Sequence, residues 1–174
     1  KVCAEVAILE SYRELGSITR GNTQDIELVY GRLRVGEAMA PHLIKKVNSN
    51  APLDAVNIVD SPPGTSCPVI ASISDSDFVI LVTEPTPFGL HDLKLAVGAV
   101  QMLHLPFGLV INRSDIGNQD VKDYAASIGM PVLMEIPFDR QIAEATTNGK
   151  LMARELPGYR EKFLEIFEQI DEIV

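Results

Sequence analysis

The sequence predicts an α/β fold: a mostly parallel β-sheet with helices on both faces. Three observations predict it. The apolar runs AVNIVD (55–60), DFVILVTE (77–84), FGLVIN (107–112) and PVLMEIP (131–137) are continuous rather than alternating, as in strands covered on both faces. They alternate with helical stretches near 67–74, 88–104, 119–129 and 139–149, which makes them βαβ units with right-handed crossovers. The 174 residues, 46% hydrophobic and 22% charged, suffice for one domain with a full core.

Residues 17–22 and 26–35 (IELVYGRLRV) read as strands, the second with β-branched and apolar alternation. EAMAPHLIKKVNSN reads as a short helix that Pro41 interrupts early. Next comes AVNIVD, closed by Asp60, and the regular alternation follows from there. Ligands in open α/β sheets sit at the carboxyl ends of the strands, which directs attention to Asp60, Thr83–Glu84, Asn112–Arg113 and Pro137–Asp139. The final stretch, YREKFLEIFEQIDEIV, puts Phe163, Phe167, Ile170 and Val174 on one helical face, with Leu164, Ile166 and Ile173 beside it.

Charge and cysteine usage narrow the partners. A net charge of −9 argues against a nucleic-acid backbone or an anionic membrane surface as direct partner. The last helix carries Glu161, Glu165, Glu168, Asp171 and Glu172 on its polar face, which an anionic leaflet would repel, so it is expected to pack on the sheet or on a partner helix. No apolar run has transmembrane length, no secretory signal is visible, and Cys3 with Cys67 makes no disulfide framework. A cytoplasmic location is the expectation.

The strand ends carry the chemistry. Asp60 can accept from a water on a Mg²⁺ ion, and the prolines of the following SPPG turn fix φ and remove two N–H donors. That leaves Gly64 free to bring its N–H to a phosphate oxygen, so the stretch has the parts of a Walker B strand and a γ-phosphate-sensing switch. The competing reading is a strand ending in an Asx turn before a Pro-capped helix. Asn112 offers a donor and an acceptor for a purine edge, and NRSD (112–115) approaches the Asn-Lys-x-Asp of guanine-binding proteins, with Arg113 in place of the lysine. The competing reading is a strand followed by a polar turn. Asp139 is placed to cap the next helix, while Pro137 and Phe138 could wall a base.

Taken in chain order, IVDSPPGTSCPVI, VILVTEPTPFGLHDL, VINRSDIG and IPFDRQIAEA resemble the MinD/ParA/Mrp group of P-loop ATPases over roughly residues 17–150. The resemblance is to the branch with an inserted ferredoxin domain, and the same nucleotide-binding domain occurs in cobyrinic acid diamide synthases (the CobQ/CobB group). It implies a P-loop NTPase-like fold and ATP with Mg²⁺ as ligands. It makes Asp60 the Walker B aspartate and Pro63–Gly64 part of switch II. Asn112, with Arg113 beside it, would contact adenine, and Pro137, Phe138 and Asp139 would line the base pocket. It also implies an ATP-sandwiched homodimer, and a redox or iron–sulfur partner protein.

KVCAEVAI resembles the end of a bacterial ferredoxin motif, with Cys3 in the last cysteine position and Ala4 where the proline would stand. Residues 1–16 are therefore expected to be the remnant of the insertion and its return strand, and 17–174 the C-terminal portion of the nucleotide-binding domain. Cys3 would ligate a [4Fe–4S] cluster only in a longer chain. The phosphate loop G-x-x-x-x-G-K-[ST] is absent, since Gly149–Lys150 is followed by Leu. As it stands, the sequence is expected to bind ATP weakly and to hydrolyse it negligibly, and to be a piece of a longer protein.

The leading function is an ATP-driven switch coupled to an iron–sulfur module. The alternatives are a GTPase using Asn112 and Asp115 on guanine, a non-enzymatic interaction module without the phosphate loop, and an amide-forming synthase. The last lacks a glutaminase-type Cys–His pair. Cys67 is expected to be buried and unreactive. Glu84 is read either as coupling nucleotide to conformation or as a capping residue, and Asp92 lies nearby in sequence. His42, His91 and His104 show no metal-ligand spacing.

Overall fold

The computed structural model describes residues 11–23 and 26–174. Cys3 lies outside the described residues, and so does most of the expected ferredoxin remnant. The chain divides into two compact units, one extending to Pro62 and including Ser66–Ser72, the other formed by Pro63–Thr65 and Ile73–Val174.

In the first unit, β1 (Gly16–Thr23) and β2 (Ile26–Leu33) form an antiparallel pair in which Thr19 faces Tyr30 and Gly21 faces Leu28. One face of β2 packs on α1 (Ala40–Asn48). Gly31 makes the close approach feasible, because a Cβ there would come within 2.9 Å of Leu43 Cγ and 3.0 Å of Val47 Cγ2. Pro41 starts this helix rather than interrupting it: it occupies the first turn, where its missing N–H would have had no helical acceptor. Before the helix, Glu37 Oε1 accepts from the N–H groups of Ala38 and Met39 at 3.0 and 3.1 Å, and Arg13 pairs with Glu37 Oε2 at 2.6 Å.

The expected strand at 55–60 does not form. AVNIVD is irregular, with Val56, Ile58 and Val59 exposed, and among the described residues no strand pairs with it. An apolar run becomes a strand only when a neighbour takes up its N–H and C=O groups. The short helix α2 (Cys67–Ile73) follows. Its Ser72 hydroxyl lies 2.6 Å from that of Ser61 and donates to Val69 O, and Ser72 O accepts from the Asn48 amide at 3.0 Å. Cys67 is exposed, contrary to the expectation of burial: as the first residue of its helix it stands ahead of the inward-facing Val69, Ala71 and Ile73.

The second unit holds a parallel sheet of β3 (Val79–Thr83), β4 (Phe107–Asn112) and β5 (Val132–Ile136), in the order β3-β4-β5. Helices α3 (Pro87–Met102) and α4 (Asp120–Ser127) link the strands. The chain continues through α5 (Arg140–Thr147), α6 (Met152–Glu155) and α7 (Tyr159–Asp171). Both faces of the central strand β4 are covered, as its continuous apolar run requires, whereas Ile80 and Val82 of β3 are exposed, contrary to that expectation. Leu109 and Ile111 of β4 pack with Leu93, Val97, Val121 and Ala125 of α3 and α4. On the opposite face Val110, Leu133 and Met134 pack with Tyr159 and Ile166 of α7. The last helix thus packs on the sheet, but through Tyr159, Ile166 and Ile170, leaving Phe163, Leu164 and Phe167 exposed.

Candidate functional site

Three loops meet at the carboxyl edge of this sheet. The first leaves β3 at Thr83, whose buried hydroxyl donates to Gly89 O at 2.9 Å. Thr86 caps α3, its Oγ1 accepting from Gly89 N–H at 3.0 Å, while Thr86 N–H donates to Glu84 O at 2.7 Å. Gly89 has no room for a side chain, since a Cβ would run into Glu84 O. The first turn of α3 is thereby pressed against the Glu84 backbone.

The second loop leaves β4 at Asn112, which is half-buried opposite Ile136 of β5. Arg113 turns the chain with φ +50°, in the left-handed region that arginine seldom occupies. Ser114 N–H donates to Ile136 O at 2.9 Å, and Asp115 Oδ1 accepts from Phe138 N–H at 2.6 Å. At Gly117, φ is +121° and an added Cβ would strike Pro85 O, so only glycine lets this loop lie against the first one.

The third loop, Pro137–Asp139, follows β5. Asp139 caps α5 by accepting from Gln141 N–H at 2.8 Å. Phe138 stays half exposed, with the Arg113 guanidinium 5.8 Å from its ring centroid. Arg113 Nε also lies 3.5 Å from Glu84 Oε1. Asn112, Arg113, Pro137, Phe138 and Asp139 are thus placed at one sheet edge, and Glu84 joins them from β3.

The other expected site residues are placed differently. Asp60 is exposed, outside any strand, in the first unit. Pro63 and Gly64 belong to the second unit, where Gly64 has φ +96° and open space around it. Asp92, His42, His91 and His104 are exposed, and among the described residues no group of three or more His, Cys, Asp or Glu could hold a metal ion. Sequence reasoning missed the Asp115–Phe138 clamp, because it crosses 23 positions and no local pattern marks it. The Thr86 cap was missed as well, although a Thr directly before the Pro87 that starts the helix is a local signal for it. An apolar groove lined by Pro106, Phe107, Met130, Pro131 and Ile173 lies at the amino ends of the strands, away from this edge.

A solved structure, the cell division ATPase MinD of Pyrococcus furiosus, superposes with a TM-score of 0.59 at 23% identity, covering 78% of this chain and 58% of that one. The fold is that of the MinD-type P-loop ATPases. No family model matches the chain. An uncharacterized protein of Methanocaldococcus jannaschii is 32% identical over 155 residues, which are 86% of this chain and 54% of that protein. An iron-sulfur cluster carrier protein of the same organism is 30% identical over 133 residues, 67% of this chain and 46% of that protein. The chain therefore spans about half the length of the curated relatives it matches.

Proposed function

We propose that this chain is the base-binding half of an ATP-dependent switch of the MinD/ParA type. One observation carries the reading: in a MinD-like fold, Asn112, Arg113 and Phe138 come together at the carboxyl edge of a parallel sheet, where such folds bind ligands. Asn112 supplies the paired donor and acceptor for a purine edge, and Phe138 supplies a half-exposed ring for stacking. The position of Asp115 favours adenine over guanine, because its carboxylate already accepts from Phe138 N–H.

Asp60 would accept from a water on the Mg²⁺ that accompanies the phosphates, and Pro63–Gly64 would present backbone to the γ-phosphate. Asp60 is exposed and outside any strand, so the sequence motif alone supports this role. Hydrolysis needs a phosphate loop that this sequence does not contain. A resident [4Fe–4S] cluster does not fit within a single copy of this chain, which has two cysteines where four thiolates are needed. The likeness to an iron-sulfur cluster carrier supports clusters as cargo of the whole protein. Hand-over to a redox or iron–sulfur partner, and a nucleotide-closed homodimer as the switching form, are part of the proposal. Among the described residues no helix is long and apolar enough to cross a membrane.

The test uses the nucleoside without phosphates, since the base contacts are the part of the site present here. Adenosine titrated into the chain is expected to shift the amide signals of 112–115 and 136–139, with guanosine much weaker and Asn112→Ala abolishing the response. Shifts only outside these loops and the adjoining Glu84 turn, or equal binding by Asn112→Ala, would overturn the reading.

A further inference from the structure

We propose that Glu84 is a positioning residue for purine-ring binding, holding the Arg113 guanidinium over Phe138 as one jaw of a stacking clamp. The proposal rests on the nucleotide reading above and adds to it the part played by the β3 end.

The jaw on the β5 side has a fixed backbone. Phe138 follows Pro137 and precedes the cap residue Asp139, and its N–H is held by Asp115 at 2.6 Å. The jaw on the β4 side is a long flexible side chain that needs a guide. Its backbone is fixed by the Ser114–Ile136 bond and by the left-handed turn at Arg113, which aim it across the loop. Beyond that point the partners of its guanidinium are the Phe138 ring at 5.8 Å and Glu84 Oε1, 3.5 Å from Nε. Glu84 Oε1 approaches the guanidinium at Nε, while Cζ lies over the ring. The Glu84 backbone is itself immobilised by the Thr86 N–H and by the close approach of Gly89.

In this geometry the clamp is closed, with the guanidinium over the ring. Each stacked layer needs about 3.5 Å, so a planar ring between guanidinium and Phe138 needs about 7 Å between them. The 5.8 Å from Cζ to the ring centroid is shorter than that, so the guanidinium must move outward to admit a ring. A small rotation of the arginine stem supplies that while Nε stays beside Glu84. The inserted ring then lies between a cation and an aromatic face, the sandwich that planar heteroaromatic ligands favour. Without Glu84 the arginine would sample many rotamers, and the slot would have to be assembled at each binding event.

Glu84 and Arg113 are both partly exposed, so the effect is modest: a two- to fivefold loss of affinity is the expected scale, about what an exposed ion pair contributes. Adenosine is titrated into wild type, Glu84→Gln and Glu84→Asp, reading amide shifts, the Arg113 Nε–H signal and the urea midpoint. Wild type is expected to show the Arg113 signal moving with adenosine. Glu84→Gln is expected to move that signal without ligand and to bind about two- to fivefold more weakly, with an unchanged urea midpoint. Glu84→Asp should recover part of the affinity. In 1 M salt, where the screening length is about 3 Å, wild type and Glu84→Gln should converge.

Equal affinity with an unmoved Arg113 signal would overturn the role of Glu84 and leave the nucleotide reading standing. Weaker binding accompanied by a lowered urea midpoint would make Glu84 a structural residue and also overturn it. No response of wild type to adenosine would overturn the nucleotide reading and the clamp together.

Discussion

Replacing Asp115 separates two accounts of the NRSD loop. In the structure its carboxylate clamps the β4 loop to the β5 loop through Phe138 N–H at 2.6 Å. Hydrogen bonds to a charged group contribute about 1.5–3 kcal/mol, and exposure of the pair lets water replace part of that, so Asp115→Ala should cost about 1 kcal/mol. With a urea m-value of about 2 kcal/mol/M the midpoint should fall by about 0.5 M. Asp115→Asn keeps an acceptor oxygen and should lose less than half as much. Urea unfolding followed by circular dichroism gives the midpoints, and titrations with adenosine and guanosine give the selectivity. Loosening Phe138 should weaken adenosine binding by Asp115→Ala. An unchanged midpoint with selective loss of guanosine would refute this reasoning and return Asp115 to the base-reading role of a GTPase.

The scaffold makes further predictions. Gly117→Ala places a methyl group into Pro85 O at a backbone angle that alanine resists, so it should destabilise by about 2 kcal/mol or more and disturb the amide signals of both loops. Leu109→Ala empties a fully buried position between the sheet and its helices and should cost about 2–5 kcal/mol in urea unfolding.

The parallel sheet was legible because its strands are apolar on both faces. Leu109 and Ile111 meet α3 and α4 while Val110 meets α7, and only a continuous run satisfies both sides. The Asp139 cap was legible because capping is local, a short polar side chain accepting from a backbone N–H within two residues. AVNIVD was misread because strand formation depends on a neighbour that the run itself cannot specify. Pro41 was misread because proline breaks a helix interior and suits its first turn, and the boundary decides which applies. In α7 apolar residues make two overlapping stripes, and the choice of Tyr159, Ile166 and Ile170 over Phe163 and Phe167 was made by the sheet face that receives them. At the site, single residues were legible by type, whereas the bonds that assemble them, Asp115 to Phe138 and Arg113 to Glu84, join distant positions through the fold.

The most direct test of the central claim is the adenosine titration of the wild-type chain, read amide by amide. The account predicts saturable shifts confined to residues 112–115, 136–139 and the Glu84 turn. Shifts at the apolar groove around Phe107 and Met130, or none at any concentration, would contradict it.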